Sequence, residues 1–195
     1  MLRRLLPFLV VAALVVPAAA QPARRAAMTA VIALDRSGVI VIELFPADAP
    51  KTVENFVRLA RQAFYDGQRF HRVEDWVVQA GDPQSRTLPM DHERMGTGGP
   101  GYTITSEFNQ RPHDRGAVGM ARGDDPDSAG SQFYITRRPA RGLDGQYTVF
   151  GRVTRGMDVV DRLKVGDSIT SAVFGEDLRA ADAVVFLDVF GEGCE

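Results

Sequence analysis

The segment Phe64-Tyr65-Asp66-Gly67-Gln68-Arg69-Phe70-His71-Arg72-Val73-Glu74-Asp75-Trp76-Val77-Val78-Gln79-Ala80-Gly81-Asp82-Pro83 decides how this chain is read. Residues 70–73 and 76–80 are rich in aromatic and β-branched side chains, the composition of strands. The polar pair Glu74-Asp75 between them is a bend, and Gly81 with Pro83 closes the run. Arg72 is the unusual residue. A guanidinium set among Phe70, Val73, Trp76 and Val77 either forms a structural ion pair or points into a ligand site, and its neighbours leave both open.

Working outward, residues 29–34 and 39–45 are two further β-rich runs joined by the turn Asp35-Arg36-Ser37-Gly38, a hairpin. Asp48-Ala49-Pro50 reads as a helix start, with Asp48 as the capping acid. Val53, Phe56, Val57 and Ala60 then recur at helical spacing, which predicts an amphipathic helix ending near Ala63. Residues 81–101 are irregular and glycine-rich. Strands are expected at 116–121, 132–136, 147–153 and 183–190, and a short helix at 157–163. Many short strands, glycine turns and only two helices predict a mainly β fold, an antiparallel barrel or sandwich. Strands and helices do not alternate, which argues against a parallel α/β sheet.

The 195 residues, 45% hydrophobic and 25% charged, suit one globular domain with a processed end. Arg3-Arg4, the apolar run from Leu5 to Val16 and Ala18-Ala19-Ala20 read as a signal peptide over residues 1–20. The run falls short of the roughly 20 apolar residues that span a bilayer. The expectation is therefore an exported chain, periplasmic or alternatively secreted, with a flexible mature N-terminus at 21–27 and no stable membrane anchor after processing. Formal charge is −2, and loss of Arg3 and Arg4 makes the remainder more acidic, so nothing calls for nucleic acid. Cys194 is the only cysteine and reads as an incidental terminal thiol.

Common catalytic hardware is sparse. Gly96-Thr97-Gly98-Gly99 resembles a phosphate cradle, but no lysine or helix pattern follows it, so it reads as a structural loop. Ser131 lies outside a nucleophile elbow. His71, His92 and His113 lack metal-ligand spacing; His71 reads as a core histidine hydrogen-bonded to backbone. Asp124, Asp125 and Asp127 read as a solvated turn rather than a calcium loop. No metal and no cofactor is expected. Arg72 with Gln79, Gln132, Phe133 and Tyr134 suggests an apolar cleft with a few uncharged donors, suited to an extended peptide.

Five blocks occur in order. They are Phe64-Tyr65-Asp66-Gly67 with Phe70-His71-Arg72-Val73; Gln79-Ala80-Gly81-Asp82-Pro83; residues 96–102; Met120-Ala121-Arg122 with residues 128–133; and Leu143-Asp144-Gly145-Gln146-Tyr147-Thr148-Val149-Phe150-Gly151. Together they resemble the cyclophilin-type peptidyl-prolyl cis–trans isomerases over residues 28–193. The resemblance implies a closed eight-stranded antiparallel β-barrel capped by two α-helices, with substrate in an outer groove. It implies catalytic Arg72 and Gln79, and substrate contacts from Phe70, Trp76, Val77, Ala121, Arg122, Gln132, Phe133 or Tyr134, Leu143 and Tyr147, with Tyr134 favoured over Phe133 for the proline pocket. Partners would be proline-containing unfolded or extended polypeptides, the protein acting as a monomer on exported chains.

Three departures stand out. Arg72 and Gln79 are seven residues apart, one fewer than is usual in the family, and an odd spacing in an uninterrupted strand puts two residues on opposite faces. Residues 84–95 look like an insertion, read as a surface loop. Gly142 stands where ciclosporin-sensitive members carry tryptophan, so weak ciclosporin binding is expected. The competing reading is a proline-peptide binding module, or holding chaperone, with little turnover. A hollow lipocalin-like barrel is disfavoured by the bulky inward side chains.

Overall fold

The computed structural model describes residues 28–35 and 38–175. Its elements run β1 (Thr29–Leu34), β2 (Gly38–Leu44), α1 (Pro50–Arg61), β3 (Arg72–Val73), β4 (Val77–Ala80), β5 (Ala117–Met120), β6 (Phe133–Thr136), β7 (Val149–Arg155), α2 (Met157–Arg162) and β8 (Ile169–Phe174). The eight strands form one antiparallel sheet in the order β3-β4-β6-β5-β7-β2-β1-β8.

β1 and β2 pair from Thr29↔Glu43 to Leu34↔Gly38, the expected hairpin. Their alternation buries Ala30, Ile32, Leu34, Ile40, Ile42 and Leu44 on one face. The helical stripe Val53, Phe56, Val57 and Ala60 of α1 lies on this apolar layer. Phe56 is fully buried, and its ring lies 5.1 Å from Tyr65, 5.6 Å from Phe133 and 5.3 Å from Phe150. Each such buried aromatic is worth about 2–3 kcal/mol of transfer free energy. This cluster therefore pins α1 to β7 and to β6, a strand that carries the cleft.

The cap of α1 differs from expectation. Asp48 does not cap; it pairs with Arg111 at 2.8 Å, and the N-cap residue Ala49 offers no side-chain acceptor. The carboxylate comes from Glu107, which accepts from Lys51 N at 3.0 Å, Thr52 N at 2.8 Å and the Thr52 hydroxyl at 2.8 Å. A negative charge at a helix N-terminus satisfies free N–H groups and opposes the helix dipole. Local sequence cannot reveal a cap supplied by a residue so far along the chain.

The expected strand at 183–190 lies outside the described residues, as do the segments read as signal peptide and mature N-terminus and Cys194. Among the described residues the eighth strand is β8, antiparallel to β1 from Ala30↔Phe174 to Leu34↔Ile169. Ser171 and Ala172 interrupt the β-rich residues of its sequence, and pairing to β1 decides its state. The end strands β3 and β8 do not pair with each other. The sheet curls so that Arg69 bridges to Ser168, flanked by Gly67 N to Ile169 O at 2.7 Å and Phe70 N to Asp167 O at 2.9 Å. Among the described residues no helix is long and apolar enough to cross a membrane.

Candidate active site

β4 and β6 build the floor of a surface cleft by alternation. Val78 and Ala80 enter the core while Val77 and Gln79 face outward; Phe133 and Ile135 enter the core while Gln132 and Tyr134 face outward. Gln79 and Tyr134 are register partners, which puts them side by side. Opposite Tyr134 stands Gly119, where an added Cβ would overlap the phenol ring. The glycine is what allows the ring to lie across β5.

The short spacing from Arg72 to Gln79 is resolved by a reversal rather than a bend. Glu74 N donates to Val77 O at 2.8 Å, so β3 and β4 are a hairpin with Arg72 opposite Gln79. Opposed residues of an antiparallel pair share a face. Arg72 Nη1 donates to Gln79 Oε1 at 3.4 Å, Gln79 Nε2 to Gln132 Oε1 at 2.9 Å, and Gln132 Nε2 to the Gly96 and Gly98 carbonyls, each at 2.8 Å. The relay fixes which end of each amide is oxygen.

Glu74, read from sequence only as part of a bend, orients the arginine. Its carboxylate accepts from Arg72 Nε at 2.7 Å and from Trp76 Nε1 at 2.8 Å, and the guanidinium carbon sits 5.3 Å from the Trp76 ring centroid. The Arg72 hydrogen bond, above all, holds the Glu74 carboxyl below its usual range. Arg72 thus forms an ion pair and also lines the cleft. Its Nη2 has no protein partner among the described residues.

A cavity of about 210 Å³ opens here. Arg72, Trp76, Val77 and Gln79 form one side, and Ala121, Arg122, Tyr134, Leu143 and Tyr147 the other. A second cavity of about 540 Å³ adjoins it, sharing Gln79, Ala121 and Arg122 and bounded by residues 96–103 and 130–132. Gln132 lines this second space. None of residues 84–95 lines either cavity. At Gly142 the side-chain position faces open space.

Two expected contacts are corrected. Phe70 and Phe133 have no exposed surface and belong to the core. Phe133 is displaced from the groove by strand alternation with Tyr134, and Phe70 lies in the irregular seam ahead of β3. His71 is also corrected. It is half-buried rather than in the core, its ring nitrogens shielded beneath Gly96 and beside Gln132 and the Arg69 backbone. Burial pushes its pKa below the ordinary imidazole value, against the pull of Asp82.

Residues that sequence reading passed over hold the site in place. Asp82, fully buried, accepts from Gly96 N at 2.6 Å, Gly98 N at 3.2 Å and Gln84 N at 2.8 Å, and so anchors the glycine loop. An added Cβ at Gly98 would overlap that carboxylate. Behind Tyr134, the fully buried His113 lies 2.9 Å from the phenol through Nε2 and 2.8 Å from Asp144 Oδ1 through Nδ1. Asp144 also accepts from His113 N at 2.8 Å, and this bond, with the ring contact, depresses its carboxyl pKa. An ionised Asp144 requires the proton on Nδ1, so in the neutral ring Nε2 accepts from Tyr134. Burial pushes the Tyr134 phenol well up, which keeps it a donor. Because Asp144 follows Leu143, the relay ties the cavity's floor to its wall. Only the isolated His113 and the Asp in the Leu143 block were visible beforehand, with nothing local to connect them.

A family model for "Cyclophilin type peptidyl-prolyl cis-trans isomerase/CLD" matches residues 29–183. A peptidyl-prolyl cis–trans isomerase of Helicobacter pylori is 43% identical over 146 residues, covering 72% of this chain and 83% of the relative. Peptidyl-prolyl cis–trans isomerase B of Bacillus subtilis is 43% identical over 137 residues, covering 69% and 89%. Among solved structures, the cyclophilin AquaCyp293 of Hirschia baltica aligns with a TM-score of 0.66 at 25% identity, covering 77% of this chain and 74% of that one. A cyclophilin-type isomerase of Cryptosporidium parvum, solved in the presence of the dipeptide Ala-Pro, aligns with a TM-score of 0.64 at 26% identity, covering 75% and 98%. Motif order, curled antiparallel sheet and matched residues converge: the chain belongs to the cyclophilin-type peptidyl-prolyl cis–trans isomerases, a family of enzymes.

Proposed function

We propose that this chain rotates X–Pro peptide bonds in extended polypeptide, with the proline ring in the 210 Å³ cavity and Arg72 as the electrostatic catalyst. Amide resonance sets a barrier of about 18–20 kcal/mol, and the two X–Pro isomers differ by only about 0.5–1 kcal/mol. The task is therefore to favour the twisted amide, whose nitrogen becomes pyramidal and gains a lone pair. No nucleophile is needed. Arg72, permanently charged, donates toward that lone pair and the prolyl carbonyl. Glu74 and Gln79 occupy Nε and Nη1 and aim the rest of the fork at the cavity. Trp76, Val77, Tyr134 and Leu143 exclude water from the ring.

The carrying observation is the Arg72 guanidinium held on two sides, with Nη2 unpartnered among the described residues, at the wall of an aromatic-lined cavity. The relative solved in the presence of Ala-Pro supports proline as the ligand class. Losing one donor to transition-state charge costs about 10²–10³ in rate. Arg72→Ala should therefore lose most turnover in an NMR exchange assay on an X–Pro peptide while keeping its folded spectrum. Full activity in that variant removes Arg72 from the mechanism. The same assay separates turnover from the binding-module reading.

We read the sheet as a closed barrel, a reading supported by the backbone hydrogen bonds joining residues 67–70 to 166–169. The basic and apolar N-terminal sequence supports action on exported proteins, as a periplasmic monomer; cell fractionation and N-terminal sequencing of the mature chain test this.

A further inference from the structure

Arg122, with Gln79 and Ala121, lines both cavities and is the charged member of the wall between them. Its hydrogen-bond partners are all backbone carbonyls. Nε and Nη2 donate to Gln146 O at 3.2 and 3.1 Å, and Nη1 donates to Gly123 O at 2.8 Å and Asp124 O at 3.3 Å. Unlike Arg72, whose charge is met by Glu74 at 2.7 Å, it makes no ion pair among the described residues. The guanidinium carbon lies 4.5 Å from the Tyr147 ring centroid and 5.7 Å from that of Phe108. Aromatic faces and carbonyl dipoles hold a cation in place without cancelling its charge.

Three nearby carboxylates are otherwise engaged. Asp144 is bound to His113, Asp125 accepts from Asp127 N at 2.9 Å, and Asp127 accepts from Ser106 N at 2.8 Å. Asp124 meets Arg122 through its carbonyl. No aspartate or glutamate lines either cavity. Among the described residues the one remaining Nη2 proton of Arg122 has no protein partner.

We infer that Arg122 is a specificity determinant that makes this groove prefer peptides carrying an acidic side chain within two residues of the X–Pro bond. This rests on the isomerase reading of the same groove. A chain whose proline ring fills the smaller cavity must pass Arg122 to place a flanking side chain in the larger one. There a carboxylate gains a charge-assisted hydrogen bond that an amide of the same shape does not.

The test is a peptide panel with Glu or Gln at the residue before Ala or the residue after Pro of one Ala–Pro pair. Kd is measured by chemical-shift titration and isomer exchange on the same samples. At about 20 mM salt, Glu should bind about two- to fivefold more tightly than Gln at one position or more, the range of a half-exposed ion pair. That advantage should shrink at about 0.5 M salt. It should vanish in Arg122→Gln and persist in part in Arg122→Lys. Equal Kd values for every Glu and Gln pair in the unaltered chain would overturn the inference, as would a preference that survives Arg122→Gln. The salt series needs no variant. Exchange on the Gln peptides reports on the isomerase reading separately, since the Kd ratio does not depend on turnover.

Discussion

Arg72 and Gln79 face one another across the β3–β4 hairpin, with Nη1 donating to Oε1 at 3.4 Å. The bond is long for a hydrogen bond, so it steers the guanidinium more than it binds it. Glu74, at 2.7 Å, supplies the stronger hold.

From this geometry Gln79→Leu should lower kcat/KM by about tenfold or less, well short of the loss from removing the transition-state donor itself. The variant also leaves Gln132 Oε1 without its donor. NMR exchange on an X–Pro peptide measures the rate, and an effect as large as that of Arg72→Ala would make Gln79 an equal partner rather than a guide.

The Asp144–His113–Tyr134 relay separates a ring from its hydroxyl. Tyr134→Phe keeps the cavity floor and removes one buried hydrogen bond, so stability should fall by about 1 kcal/mol with turnover within a few-fold. His113→Ala removes a fully buried side chain and strands the Tyr134 hydroxyl, and should cost about 2–4 kcal/mol. Urea unfolding of both variants checks the order; an equal cost for the two would sink the relay as described.

His71 sets a pH dependence. Burial lowers its folded pKa, so the unfolded chain takes up the proton first as pH falls below the ordinary 6.5. Stability from this residue is present in full above that value and is lost progressively as pH drops toward the lower folded value. Unfolding midpoints measured from about pH 7 down to pH 5 should therefore decline less steeply in His71→Gln than in the unaltered chain. Parallel slopes would remove His71 as the cause.

The remote cap on α1 predicts that Glu107→Ala costs about 1–2 kcal/mol, while Asp48→Ala, at an exposed ion pair, costs about 0–1 kcal/mol. The contrast in thermal midpoint between the two variants identifies which acid serves the helix.

Local patterns in the chain were enough for the β1–β2 hairpin, the apolar face of α1, the strands at β4 and β6, and the ordered motif blocks around Arg72, Gln132 and Leu143. Period-2 and period-3.6 alternation act between near neighbours, so they are written into a short window. The tertiary structure decided what those windows cannot contain. It turned an odd spacing into a facing pair, because a hairpin reversal changes which residues share a side. It sent Phe133 to the core and Tyr134 to the groove, the arrangement the family resemblance favoured, because packing of Phe133 against Phe56 fixes which face of β6 is buried. It brought Glu107 to α1, Asp82 to the glycine loop and His113 between Tyr134 and Asp144. Each of those contacts joins residues distant in sequence, and its free energy exists only once the sheet has curled and water has left the space between them.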